Sequence, residues 1–512
     1  MKALQIGRRR CVALLLGLML VVVAACGSRL PYSKVVAENA ALGSANAGQP
    51  AAIGSTAGGS TTRVGASTSS GSTADVGAST SGGSTTGVGA STSGGSRTGG
   101  ATSSALTTVP AADTSGGSSA VSNSPTGAGS SSSGVAPPTG PATGSTVNVG
   151  QIGTEGGVFG AILGDGQVGA EIWTNYINQH GGLNGHKVNL ITANDGGDPS
   201  TALSEAQTMV QQDHVIAFVA NADVLTTPTI APYLQSVKVP TIGGTDDESQ
   251  WFTNPDFFPH GASLRVQSDG SLKVGIDRGD TNVGVVACVE AAIICSNVDD
   301  DIEHDVSALG GKLVYNASAS LAQPDFTTEC LGAKQAGVNN LYLALDPASI
   351  VRFVNDCANQ DYHPYYNITS LLFSPTLLTT TNTIGIVTVA SVFPFPVVAP
   401  ATAAFDQAVQ QTTGGTPNSQ FDASAWVAGL VLQAAAKNLP ASNPTPADVL
   451  AGLYQIKDDD FGGLTSPITY TATQSTRSPT CYYPMEVVSG GFSAPDGLEP
   501  QCVSSSFSSV NL

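Results

Sequence analysis

Residues 169–210 read GAEIWTNYINQHGGLNGHKVNLITANDGGDPSTALSEAQTMV. A helix pattern, a strand pattern and a second helix pattern follow one another here, and that alternation decides the fold. Val168, Ile172, Tyr176 and Ile177 fall at helical spacing. They predict a helix over 167–180 that Gly181-Gly182 brings to an end. Lys187–Ala193 (KVNLITA) reads as a strand. Asp198 before Pro199 predicts a helix N-cap with Pro at the first helical position, and Leu203, Ala206, Met209 and Val210 are the stripe to be buried. Strands joined by helices imply parallel βαβ units.

The same alternation extends both ways. Val147–Gly153 is a strand entering a Gly-rich loop, Val215–Ala220 a third strand, Thr227–Val237 a helix and Val239–Ile242 a short strand. The pattern restarts after about residue 270. Strands are expected at Asn282–Cys288, Lys312–Ala317 and Asn340–Leu345, with helices over Asp299–Leu309, Phe326–Ala336 and Ala348–Gln360. Asp422–Leu439 reads as a long Ala-rich helix, and Ile468–Thr473 and Met485–Ser489 as closing strands. Two similar halves imply two α/β lobes.

The chain has 512 residues, 38 acidic against 19 basic, for a formal charge of −19. From residue 147 onward the balance is 35 acidic to 11 basic. So acidic a body excludes general nucleic-acid or anionic-membrane binding, which requires a basic face. No apolar run of about 18 or more follows residue 30, which excludes a multi-span membrane protein.

The N-terminus sets the compartment. Lys2, Arg8, Arg9 and Arg10 precede the apolar run Val12–Val23 and then Ala24-Ala25-Cys26. Residues 1–25 are expected to be a secretory signal, since the run is too short to span. Val23-Ala24-Ala25-Cys26 resembles the bacterial lipobox, which makes Cys26 the expected lipidation site and the outer face of the bacterial cell membrane the expected location. Residues 26–146 are then the lipidated Cys and its tether, nearly all Ser, Gly, Thr and Ala from residue 28. A near-copy of VGASTSGGSTTG begins at each of Val64, Val76 and Val88. One small aliphatic per repeat cannot offset the entropy of ordering, so a disordered tether is expected, with a reach of roughly 60 Å.

Six cysteines remain in the body: Cys288, Cys295, Cys330, Cys357, Cys481 and Cys502. In an exported domain an even number reads as disulfides, with fifteen possible connectivities. Sequence order favours neighbours pairing. Right-handed crossovers place the helices carrying Cys330 and Cys357 side by side, which favours that bridge. With no CxxC and no paired-His spacing, zinc is not expected.

Gly164, Gly166 and Gly169 match a dinucleotide fingerprint, but some ten residues separate them from the preceding strand, where the pyrophosphate mechanism needs the first glycine directly after it. A ligand-facing loop is expected, with no cofactor, and Phe159 is the aromatic in that loop. No GxSxG, HExxH or SxxK set is present, so no enzyme is expected. Asp299-Asp300-Asp301 and Asp458-Asp459-Asp460 lack EF-hand spacing and read as helix starts and solvated turns.

Several motifs agree in order with one family. Residues 169–210, VPTIGGTDD at 239–247 and PDFTTECLGAKQAGVNNLYLAL at 324–345 resemble the class I periplasmic binding proteins of the leucine-binding type. The resemblance covers essentially all of 147–500. It implies two Rossmann-like lobes joined by a three-strand hinge, with lobe 1 from 147–266 and 396–466 and lobe 2 from 267–395 and 467–512. The crossovers it implies lie near 264–270, 393–398 and 465–469.

It also implies a ligand held between the lobes, an amino acid or amide-like small polar solute, for an ABC permease with ATPase subunits. A ligand-sensing or cell-wall-associated binding protein without a permease is the alternative. Carried over position by position, the implied ligand residues are Phe159, Asp223, Thr226, Gly243, Gly244, Thr245, Glu290, Asp346 and Ser374. The last three lie in the second lobe, where Glu290 or Asp346 is expected to meet a cationic group.

Overall fold

The computed structural model describes residues 140–503 apart from 157–158, 247–248, 291 and 473–478. The signal sequence, Cys26 and residues 27–139 with the repeats therefore lie outside the described residues, whereas 140–146, expected as the end of the tether, pack on the turn at 180–186: the Gly144 amide donates to the Gly185 carbonyl at 2.6 Å and Gly140 bridges to His180.

The chain first builds a five-stranded parallel sheet. Strand β1 (Val147–Gly153) leads through the short helix α1 (Gly160–Leu163) into α2 (Asp165–Gln179) and then β2 (Val188–Asn194). Helix α3 (Pro199–Gln211) starts where the cap predicts it: the Asp198 side chain accepts from the Thr201 amide. Strand β3 (Phe218–Asn221), helix α4 (Thr227–Val237), β4 (Thr241–Gly244), α5 (Gln250–Thr253) and β5 (Phe257–Phe258) follow. The order is β2-β1-β3-β4-β5, every pair parallel. One expected core position fails: Val168 is exposed, and the buried face of α2 is set by Ala170, Ile172, Trp173 and Ile177.

A second sheet then forms. Helix α6 (Leu264–Asp277), β6 (Asn282–Cys288), α7 (Ala292–Asp305), β7 (Lys312–Ala319), α8 (Thr327–Ala336), β8 (Asn340–Ala344), α9 (Pro347–Asn359), β9 (Tyr365–Asn367) and β10 (Val387–Ala390) follow in order. Helix α7 starts well before Asp299, so the Asp299–Asp301 run lies inside it. Asn316 donates to Asp299, and Arg265 sits 3.5 Å from Asp301. Partners on neighbouring elements hold these acids within the helix body.

Helices α10 (Ala403–Thr413), α11 (Gln420–Ala435) and α12 (Pro446–Leu453) return to the first sheet, with α10 and α11 packed on α2 and α11 also on β4. Strands β11 (Cys481–Val488), β12 (Gly491–Ser493) and β13 (Gln501–Cys502) close the second sheet. Its order is β12-β11-β10-β9-β8-β6-β7, antiparallel at β10-β11 and β11-β12, with β13 paired to β11. Of the expected strand at 468–473, the described part makes a single bridge, Ile468 to Asp459.

The glycines of the fingerprint serve packing. A Cβ on Gly169 would stand 2.7 Å from the Ala425 Cβ of α11, and one on Gly166 would strike Ala222. On α11, Gly429 lies flat against the Trp173 ring. These glycines let α2 approach α11 and the end of β3 closely. The cysteines pair as sequence neighbours, Cys288–Cys295, Cys330–Cys357 and Cys481–Cys502, with S–S distances of 1.92, 1.95 and 2.07 Å.

The chain passes between the sheets three times, and the passages are bonded to one another. The Ala262 amide donates to the Ser391 carbonyl at 3.4 Å, and the Phe393 amide to the Leu464 carbonyl at 2.8 Å. The Thr465 hydroxyl donates to the His260 carbonyl at 2.8 Å. The first passage is 259–263, because residues 264–270 are already helix α6, which packs on β8 to β11. The Ser263 side chain caps that helix by accepting from the Val266 amide.

Candidate functional site

In parallel α/β sheets the loops leaving the C-terminal strand ends are free to face a ligand, since the strand interiors are covered by helices. Here those loops from the two sheets meet around one cavity. From the first sheet come Phe159 and Leu163, after β1, and Val224, after β3. From the second come Leu321, after β7, Leu345 and Asp346, after β8, and Leu371, after β9. The Cys288–Cys295 bridge, Tyr342 and Thr369 also line it, with Leu264, Val298, Ala344 and Leu372. The cavity holds about 590 Å³ not filled by protein atoms, part of it open to solvent. Leu371 and Phe159 also pack against Leu163, Ala222, Val224 and Phe421, so loops of both sheets touch in one apolar cluster.

Of the residues implied by the family resemblance, Phe159 and Asp346 line this cavity. Asp346 is also the N-cap of α9: its side chain accepts from the Ala348 and Ser349 amides and from the Ser349 hydroxyl. The others are placed elsewhere. Asp223 is 1 % exposed and accepts from the Thr227 hydroxyl at 2.9 Å and the Asn221 amide group at 3.2 Å. Thr226 donates its hydroxyl to Asp195 at 2.6 Å, and Asp195 also accepts from Thr154 at 2.7 Å. The Thr226 and Thr227 amides both donate to the Asp223 carbonyl, so this loop closes on itself.

Gly243, at φ +58°, faces Ala428 and the His260 ring. Gly244 abuts Trp251, and Thr245 is buried. Exposed Glu290 accepts from the Ser320 hydroxyl and the Leu321 amide. The Ser374 hydroxyl is buried and has no hydrogen-bond partner among the described residues.

The electrostatics around the cavity are acidic. Burial pushes the Asp223 carboxyl up to about 7, with the Asp195 charge adding to it. Burial also raises Glu155, helped by Glu171 and Asp195. No Lys, Arg or His is among the lining residues. Arg352 on α9 is not among the lining residues: it donates to the Leu321 carbonyl and the Ser349 hydroxyl, each at 2.8 Å, and its buried Nε has no partner among the described residues. Arg265 is committed to Asp305 at 2.6 Å. Among the described residues no group of three or more His, Cys, Asp or Glu side chains is placed to hold a metal.

Val224, Leu321, Leu345 and Leu371 were not among the expected site residues. Each stands one to four positions after a strand. That position relative to the strand end was the available signal; periodicity reports only which face of an element is buried.

A family model described as periplasmic binding protein matches residues 146–492. An amino acid binding protein of Pseudomonas aeruginosa is 26% identical over 174 residues, covering 32% of this chain and 45% of that protein. The chain thus spans about half the length of that curated relative. Among solved structures, the branched-chain amino acid transporter substrate binding protein of Streptococcus pneumoniae, in complex with isoleucine, has a TM-score of 0.58 at 18% identity over 70% of this chain and 99% of that one. A fatty acid ABC transporter substrate-binding protein from Thermomonospora curvata has a TM-score of 0.60 at 15% identity, over 73% and 96%. An R. palustris ABC transporter solute binding protein, in complex with benzoate, has a TM-score of 0.57 at 14% identity, over 70% and 98%. At these identities the likeness establishes the fold.

Proposed function

The chain belongs to the periplasmic binding protein family, with its class I two-lobe fold, and we propose that it is an extracytoplasmic solute-binding lipoprotein that captures a small molecule between closing lobes for an ABC importer. One observation carries the reading: a single apolar cavity is walled by the strand-end loops of both sheets. A molecule there touches both lobes at once and binds more tightly to the closed arrangement than to the open one. That difference in affinity is what drives closure.

In this reading the first lobe is the first sheet with α10 to α12, and the second lobe is the second sheet with α6 to α9. The three bonded passages at 259–263, 391–393 and 464–465 are the hinge. Cys26 anchors the chain by lipid, and the Ser/Gly/Thr segment spaces the lobes from the membrane. The protein binds its solute without converting it. Solved relatives of the same fold hold isoleucine or benzoate, or are named for fatty acid transport, so the fold leaves the ligand class to the cavity wall. The length of the Ser/Gly/Thr segment favours a second reading, a sensor that works through a cell-wall layer without a permease.

The test is a thermal-shift screen of metabolites followed by small-angle scattering on the hits. A saturable stabilisation accompanied by a smaller radius of gyration is expected. No saturable effect from any solute would contradict the reading.

A further inference from the structure

Resting on the solute-binding reading just given, we infer that the ligand is an uncharged, largely apolar small molecule carrying one hydrogen-bonding group, which pairs with the Thr369 hydroxyl. The wall is Phe159, Leu163, Val224, Leu345, Leu371 and Leu372 with the Cys288–Cys295 bridge, and burial against it rewards apolar surface. Within this wall the Thr369 hydroxyl is buried and has no hydrogen-bond partner among the described residues. A buried hydroxyl without a partner is costly, and a ligand group that meets it removes the cost.

An amino acid does not fit this wall. Its carboxylate needs several donors or a cation, and burying one without them costs several kcal/mol or more. In the loop after β3 the Thr226 and Thr227 amides bond to the Asp223 carbonyl and the Thr226 hydroxyl to Asp195, so these donors are already used. The Ala348 and Ser349 amides at the start of α9 are taken by the Asp346 carboxylate. Arg265 is paired with Asp305, one terminal nitrogen of Arg352 is held by Leu321 and Ser349 although its buried Nε has no partner among the described residues, and the acids Asp346, Asp223 and Glu155 stand in or near the wall. An anionic ligand would therefore enter an unfavourable field, without a donor set to receive it.

The test compares isohexanol, isocaproate and leucine, which share one branched carbon skeleton and differ in charge, by calorimetric titration of the full chain. Isohexanol should bind at least about tenfold more tightly than either charged analogue. Thr369→Val, nearly the same in shape, should weaken isohexanol roughly fivefold to tenfold while raising the melting temperature of the free protein, since it removes the unpaired hydroxyl. Leu345→Lys, which puts a cation in the wall, should shift the preference toward isocaproate. Tighter binding of leucine or isocaproate to the native chain overturns the uncharged-ligand assignment and leaves the solute-binding reading standing. Loss of isohexanol preference with no change on Thr369→Val overturns it as well. Binding of none of the three, together with an empty metabolite screen, overturns both.

Discussion

Asp246 and His260 pin the first passage between the sheets to the first lobe. One Asp246 carboxylate oxygen lies 2.8 Å from the His260 ring Nδ1 and also accepts from the backbone amides of His260 and Gly261, at 3.1 and 3.2 Å. Both side chains are buried, and the other ring nitrogen of His260 bonds to Ser424 on α11. In the proposed reading, a rotation that closes the lobes would begin beyond Gly261, where the amide of Ala262 bonds to the second passage.

Asp246→Ala should accordingly lower stability by about 3 kcal/mol, because it leaves two buried amides without an acceptor. Urea denaturation measures this directly. A change under about 0.5 kcal/mol would mean the contact does not hold the passage.

The close approach of α2 and α11 makes a second prediction. Gly429→Ala drives a methyl into the Trp173 ring, which is fully buried between the helices. The cost should be about 2 kcal/mol or more from overpacking, seen as a melting temperature lower by several degrees. A helix-favouring substitution that raised the melting temperature instead would show that the helices have room to part.

Acidic groups in the core give stability a defined pH dependence. Burial pushes Asp422 from its ordinary 3.8 up to about 7, with Asp165 adding to it, and Asp223 is pushed up to about 7 for the same main reason. Between roughly pH 4 and pH 7 the folded chain holds these protons while the unfolded chain has released them. Stability therefore falls as pH rises through that window and is greatest below it. Asp269 and Asp301 are raised by burial as well, so Asp422→Asn removes one of four such groups and should shrink the drop in melting temperature between pH 4.5 and pH 8 only in part. An unchanged drop would assign the pH dependence to other groups.

Removing the bridge between α8 and α9, as Cys330→Ala with Cys357→Ala, should cost about 3 kcal/mol for a bridge spanning 27 residues. Both positions are fully buried and both become alanine, so part of the loss will be lost packing. Comparing the variant with the native chain, both with every bridge reduced, isolates the packing contribution.

Much of this architecture was legible in the sequence because its signals are local. Helix α4 at Thr227–Val237 and strand β6 at Asn282–Cys288 fall where composition put them. The Asp198-Pro199 cap starts α3, and the order of the cysteines matched their pairing. What failed depended on distant partners. The start of α7 was misjudged because Asp299 and Asp301 are held by Asn316 and Arg265, and acidity alone suggested a helix start. The candidate site was legible only at Phe159 and Asp346. In the loop Asp223–Thr227, Val224 faces the cavity while Thr226 bonds to Asp195, and which side chain turns which way is a matter of three-dimensional packing that no periodicity records.

Native mass spectrometry of the chain, purified without unfolding and then denatured, tests capture of a molecule between the lobes most directly. One small uncharged molecule per chain should be released on denaturation, with a protein mass lower by about six hydrogens for three disulfides. A chain that carries nothing and gains no stability from any solute offered to it would contradict the claim.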